Sequence, residues 1–194
     1  MPARINAEER RGHVVRAGFA QVVAEGVEGL TLRKVAARAG LNIGSVRHFF
    51  DGHEDLLAAV AQEAGDRMGR RLAAYPPERL SGLKGEAAVD ALQELIEQVL
   101  PVDAARREEA IVVVEFIRAS RVRAVFAPAA DRMARDLHRV IEDALSRVGA
   151  AERTRHVTAV IGGLTLDAVT PHGAPSVEEV RATLRGVLRL VVTA

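Results

Sequence analysis

Thr31-Leu32-Arg33-Lys34-Val35-Ala36-Ala37-Arg38-Ala39-Gly40-Leu41-Asn42-Ile43-Gly44-Ser45-Val46-Arg47-His48-Phe49-Phe50 is the stretch on which the reading of this chain turns. Thr31 suits a helix N-terminus, because its hydroxyl accepts from an amide that the helix leaves without a partner. Leu32, Val35, Ala36 and Ala39 then recur as one apolar stripe at helical spacing, leaving Arg33, Lys34 and Arg38 outside. Gly40 ends that helix. Asn42 caps a second one over 43–50, in which Val46 and Phe50 turn inward while Ile43, Gly44, Arg47 and His48 project from the other side. Two short helices joined across 39–42 have the layout of a helix-turn-helix.

A helix enters the major groove of DNA only where its exposed side is narrow and polar. Gly44 lets the backbone approach, and Ser45, Arg47 and His48 offer hydrogen-bonding groups, with Arg47 the first candidate to read a base edge. Arg33 and Lys34 stand at the start of the preceding helix, placed for a phosphate or a groove-edge guanine. The pattern alone also fits an ordinary helix pair with solvated surface charges. The charge distribution agrees with the first reading: residues 1–50 hold eight Lys/Arg against four Asp/Glu, and residues 51–194 hold nineteen against twenty-two. A basic head on a mildly acidic remainder lies hidden under a net charge of only +1.

Outward from this segment, apolar residues recur at helical spacing almost everywhere, and no sustained alternation bounded by hairpin turns occurs. The fold class is therefore all-α. A first helix over about 8–25 ends near Gly26 and Gly29, and a long fourth carries Leu57, Val60, Ala64, Met68 and Leu72 as far as Pro76-Pro77. Val89, Leu92, Ile96 and Val99 mark a fifth helix stopped at Pro101. Residues 111–117 are apolar on every side of a sixth except at Glu115, which places that helix inside a bundle. A seventh ends at Gly149, an eighth spans about 151–170, and a ninth follows Ser176, with Glu179 at the capping-box spacing.

Composition narrows the function. With 194 residues, 48% hydrophobic and 27% charged, the chain builds a sizeable core in one domain or in a small module attached to a larger one. The absence of cysteine excludes disulfides, thiolate metal sites and a cysteine nucleophile. No G-x-x-x-x-G-K, G-x-S-x-G or H-E-x-x-H pattern occurs, so neither an enzyme nor a cofactor nor a metal is expected. A charge-free run such as 157–166 has ten residues, where a membrane span needs about 20. Glu8, Glu9, Arg10 and Arg11 precede the first apolar turn, unlike a secretion signal, and a cytoplasmic protein is expected.

With Glu54-Asp55-Leu56-Leu57 after it, the run 31–50 resembles the DNA-binding head of the TetR family of transcriptional regulators, over about residues 8–60. The resemblance implies a nine-helix TetR-like fold: a three-helix head over 1–52 and a helical ligand-binding and dimerisation body over 53–194. It implies a homodimeric repressor whose heads read a palindromic operator in double-stranded DNA and are released by an unknown small-molecule effector. In that pattern Thr31, Lys34 and His53 face phosphates, and Arg33, Ile43, Ser45, Arg47 and His48 face bases or groove edges. Family members commonly carry tyrosine where Arg47 stands, histidine or tyrosine at Phe49 and lysine at His53. A histidine there would make operator affinity pH-sensitive. These departures also raise an alternative, a helical dimer that has lost DNA binding and acts through a protein partner.

The resemblance further implies that the last two helices of each subunit form a dimer bundle. Val157, Val160, Ile161 and Leu164 on the eighth and Val180, Leu184, Val187 and Val191 on the ninth are the candidate contacts, although the same stripes also read as intramolecular core. Candidate ligand residues are Met68, Phe116, Phe126, Met133 and Leu137, with Glu115 and His138 as polar groups. Glu115, in apolar surroundings, must either pair with an arginine such as Arg118 or Arg121 or meet a ligand cation.

Overall fold

The computed structural model describes residues 7–193, so the first six residues of the expected 1–52 head lie outside the described residues. Among the described residues nine α-helices form: α1 Ala7–Gly29, α2 Leu32–Arg38, α3 Ile43–Phe49, α4 His53–Ala73, α5 Gly85–Ile96, α6 Ala104–Ser120, α7 Ala127–Arg147, α8 Thr154–Val169 and α9 Val177–Thr193. No strand occurs among the described residues. The all-α, nine-helix expectation holds. The helices group into two compact units, one running to Asp66 and including Ile111–Ala130, the other comprising Arg67–Ala110 and the chain from Asp131 onward.

In the first unit, α1 is helical until Gly26, whose φ of 70° breaks it before the turn that leads to α2. Val14, Val22, Val35, Val46, Leu56 and Val60 are fully buried, so α1 to α3 and the start of α4 share one core. Of the apolar run in α6, Val112, Val113 and Phe116 are buried, but Ile117 is 50% exposed. That run is therefore not buried all round: its helix packs along one side, where Phe116 stacks on Phe126 with ring centroids 4.8 Å apart.

In the second unit, Leu80, Leu92, Ile96, Ile141, Leu145, Val157, Leu184 and Leu188 form the core. α5 ends at Ile96, short of Pro101, because the amides of Gln98 and Val99 switch to the carbonyls three residues back. α9 starts as its sequence signals: the Ser176 amide donates to the Glu179 carboxylate (2.7 Å), and the Glu179 amide donates to the Ser176 hydroxyl (3.2 Å). Hydrogen bonds from the Ser176 backbone first, and from its side chain next, hold the Glu179 carboxyl below its ordinary value. Along its side, α9 is laced to α5 by Arg181 on Glu97 (3.2 Å), Arg185 on Asp90 and Glu86 (2.7 Å each) and Arg189 on Glu86 (2.7 Å).

Candidate nucleic-acid interface

The two short helices are set by caps that are legible in the sequence. Thr31 Oγ1 accepts from the Lys34 amide (3.2 Å) and Asn42 Oδ1 from the Ser45 amide (2.8 Å). Between them Gly40 takes φ +65°, a left-handed conformation that a side chain would resist. Val46 and Phe50, 0% and 1% exposed, anchor the inner side of α3. Ile43, Gly44, Arg47 and His48 consequently stand exposed on its outer side, with Ser45 half-buried at the flank. Thr31, Arg33 and Lys34 are exposed at the start of α2.

The charges on this surface differ in kind. Arg33 and Arg47 make no ion pair with any described residue. Lys34 Nζ lies 2.5 Å from Glu25 Oε2, and Arg38 Nε donates to the Gln21 side chain at 2.9 Å. Neither Glu25 nor Gln21 stood out in the sequence; the only signal was an acidic residue nine positions before Lys34. His53 is half-buried and its Nε2 sits 2.5 Å from the Leu30 carbonyl. A protonated nitrogen donates there, so one side of the ring is spent on holding the residue just before Thr31. His13 Nε2 likewise meets the Ala39 carbonyl, 2.9 Å away, at the turn itself.

The candidate ligand residues divide between the two units. Glu115, Phe116 and Phe126 belong to the first unit, and Met68, Met133, Leu137 and His138 to the second. Glu115 accepts from the Val27 amide (3.1 Å) and from Arg118 (3.2 Å), so of the partners considered for it the arginine at 118 is the one it meets. Phe116 and Phe126 fill core, Met68 and Leu137 pack against the core of the second unit, and His138 is exposed. A cavity of about 430 Å³ does lie in the second unit, lined by Leu72, Tyr75, Leu80, Leu95, Val140 and Asp143 among others, and by none of those seven.

The stripe read as dimer contacts needs correction. Val157, Ile161, Leu164, Val180, Leu184 and Val191 are buried in the chain's own core, with Val160 and Val187 packed against it. These side chains face a core that already satisfies them, so periodicity located the inner faces of α8 and α9. Their outer faces carry Ala159, Gly162, Gly163 and Leu166 on α8 and Thr183, Gly186 and Leu190 on α9, all exposed. Among the described residues no group of three or more His, Asp or Glu is placed to hold a metal ion, and no helix is long and apolar enough to cross a membrane.

Comparison with known proteins agrees with this geometry. Residues 14–60 match the model of the bacterial regulatory proteins of the tetR family, and residues 88–192 match that of the C-terminal region of BetI-type transcriptional repressors. The HTH-type transcriptional regulator PksA of Bacillus subtilis (strain 168) is 32% identical over 72 residues, which are 37% of this chain and only 35% of that protein. A transcriptional regulator from Rhodococcus sp. Rha1 superposes with a TM-score of 0.84 at 25% identity, covering 94% of this chain and 96% of its own. The multidrug binding protein EbrR, solved with imidazole, gives 0.67 at 25% identity, covering 95% of each chain. With a family model spanning more than half its length and another on the helix-turn-helix, the chain belongs to the TetR family of bacterial regulatory proteins.

Proposed function

We propose that the protein is a homodimeric transcriptional repressor whose heads, residues 1–52, bind a palindromic operator in double-stranded DNA. The body, residues 53–194, carries the dimer contact and the effector site. The observation that carries the reading is the outer side of α3: Ile43, Gly44, Arg47 and His48 exposed together, with Arg47 free of any ion pair among the described residues. A helix presenting an unpaired guanidinium beside a glycine suits the major groove, where arginine bonds both acceptors of a guanine edge. Arg33, Ser45 and His48 supply further groove contacts, and Thr31 and Lys34 supply phosphate contacts. His53 acts chiefly through the Leu30 carbonyl it holds. A dimer seated on an operator blocks polymerase with no further contact, which makes repression the outcome and the cytoplasm the place of action. The reading calls for no catalytic group, cofactor or metal.

The dimer face in this proposal is the open one. Ala159, Gly162, Gly163 and Leu166 recur on one side of α8 and Thr183, Gly186 and Leu190 on one side of α9, and glycines admit a partner backbone closely. Leu166 and Leu190, 52% and 73% exposed, supply the apolar contact. For the effector, the cavity of about 430 Å³ between α4, α5 and α7 has the size and apolar lining of a small-molecule site. EbrR has been solved with imidazole, proflavin and malachite green, which supports small-molecule binding as the control of this relative.

The test begins with duplexes that the protein selects from a random-sequence pool. The expected result is a two-fold symmetric sequence bound by a dimer, with affinity falling steeply between 50 and 200 mM salt, by roughly 10³-fold or more if six phosphates are contacted. A chain that sediments as a monomer at micromolar concentration removes the dimer, and failure to select any sequence leaves the protein-interaction module.

A further inference from the structure

Beside Lys34 the head surface carries an anion of its own, where the proposed function has a DNA phosphate. Glu25, in the last turn of α1 before its break, places a carboxylate oxygen 2.5 Å from Nζ of Lys34, and the two side chains are 44% and 50% exposed. The carboxylate is positioned rather than trailing. Gln21, only 3% exposed, links the Gly29 carbonyl with Arg38 Nε, and it also hydrogen-bonds Glu25. Gly29 leaves the room that the acid occupies: a Cβ there would lie 2.4 Å from the Glu25 Cβ and 3.1 Å from its Oε2. The carboxyl sits below its ordinary value, through the Lys34 hydrogen bond first and that of Gln21 next, and so remains an anion at any pH used for DNA binding.

We propose that Glu25 is a built-in competitor for the DNA phosphate contacted by Lys34, so that operator binding exchanges one anion for the other and Glu25 sets the affinity without touching DNA. The proposal rests on the DNA-binding reading of the head. Both partners are solvent-accessible, and exposed ion pairs are weak, so the pair opens readily when a phosphate arrives. Arg33, one position away and unpaired among the described residues, is subject to no such exchange. The two neighbouring cations thus present themselves to DNA differently: one is always available, the other only at the cost of a broken pair.

A double-mutant cycle on duplexes selected by the wild-type protein separates this exchange from simple charge repulsion. Glu25→Gln is expected to tighten binding about two- to five-fold, the scale of an exposed pair. Glu25→Asp, which keeps the charge but shortens the reach, is expected to tighten it as well, and neither gain should survive in the Lys34→Met background. Melting temperatures of the variants show that the fold is kept. An equal gain with and without Lys34, a gain from Gln but not from Asp, or no gain at all overturns the exchange. Arg47→Ala serves as the control on the underlying reading. If it relaxes selectivity while the Glu25 variants show no Lys34-dependent gain, the head still reads DNA and only the exchange is wrong. If the wild-type protein selects no duplex, the DNA-binding reading fails and the exchange with it.

Discussion

Arg33 and Arg47 in the head and Arg181, Arg185 and Arg189 in the body all ride on the surface sides of helices, yet their surroundings are opposite. On α9 the three guanidinia, four residues apart, each meet an acidic residue of α5 or, for Arg181, the Glu97 that caps that helix. The result is a lattice of charge that neutralises itself and fastens two helices. On α2 and α3 no described acid answers Arg33 or Arg47, and the uncompensated charge is left for an outside anion. A chain with 25 arginines offers no clue in composition as to which are which. Pairing decides it, because a guanidinium already saturated by carboxylates has little left to offer a phosphate or a base.

The sharpest way to break this contrast is to damage each region by its own means. Leu184→Ala, at a fully buried position in α9, is expected to cost about 2–5 kcal/mol of stability in urea unfolding. A smaller loss would mean that α9 is held more by its arginines than by its core. Arg47→Ala is expected to leave unfolding unchanged and to cost about 1–3 kcal/mol of operator binding, with discrimination relaxed at one base pair. Equal loss on all sequences would make Arg47 a phosphate contact like Lys34. Asn42→Ala removes the cap on Ser45 and should cost about 1 kcal/mol of stability, measured by thermal melting, with operator affinity falling in step.

The smallest effect concerns the lattice itself. Hydrogen bonds from Arg189 first and Arg185 after it hold the Glu86 carboxyl below its ordinary value of 4.5. Because the folded value is the lower one, the contribution is fully present above pH 4.5 and is lost as pH falls through the depressed value. Melting curves taken from pH 6 to pH 3 should therefore show an acid loss that Glu86→Gln reduces, and 1 M salt should reduce the same part by screening. An acid loss identical in Glu86→Gln would assign it to other carboxylates.

The helix-turn-helix was legible because its determinants are local. Thr31 and Asn42 cap helices that begin one residue later, Gly40 takes the turn between them, and Val46 and Phe50 lie four residues apart on one side of a helix. The extent of α5 was less so, since Pro101 marks where a helix must have stopped and not where tight turns end it first. Glu115 was recognised as needing a partner, but its second one, the Val27 amide 88 residues away, has no sequence signal. The outer faces of α8 and α9 are only faintly legible, in the glycine pair 162–163, because hydrophobic periodicity selects the side with more apolar residues, and the open side is mostly small residues with one leucine on each helix.

The amino-acid sequence on its own determined that the chain is helical, where most helices begin, and which of their sides are apolar, because capping and 3.6-residue spacing act over a single turn. Tertiary structure decided what each apolar side meets, which arginines are neutralised and where the cavity lies. Those outcomes turn on meetings such as that of Glu86 with Arg189, 103 residues apart, and no local rule specifies such a meeting until packing brings the two helices together.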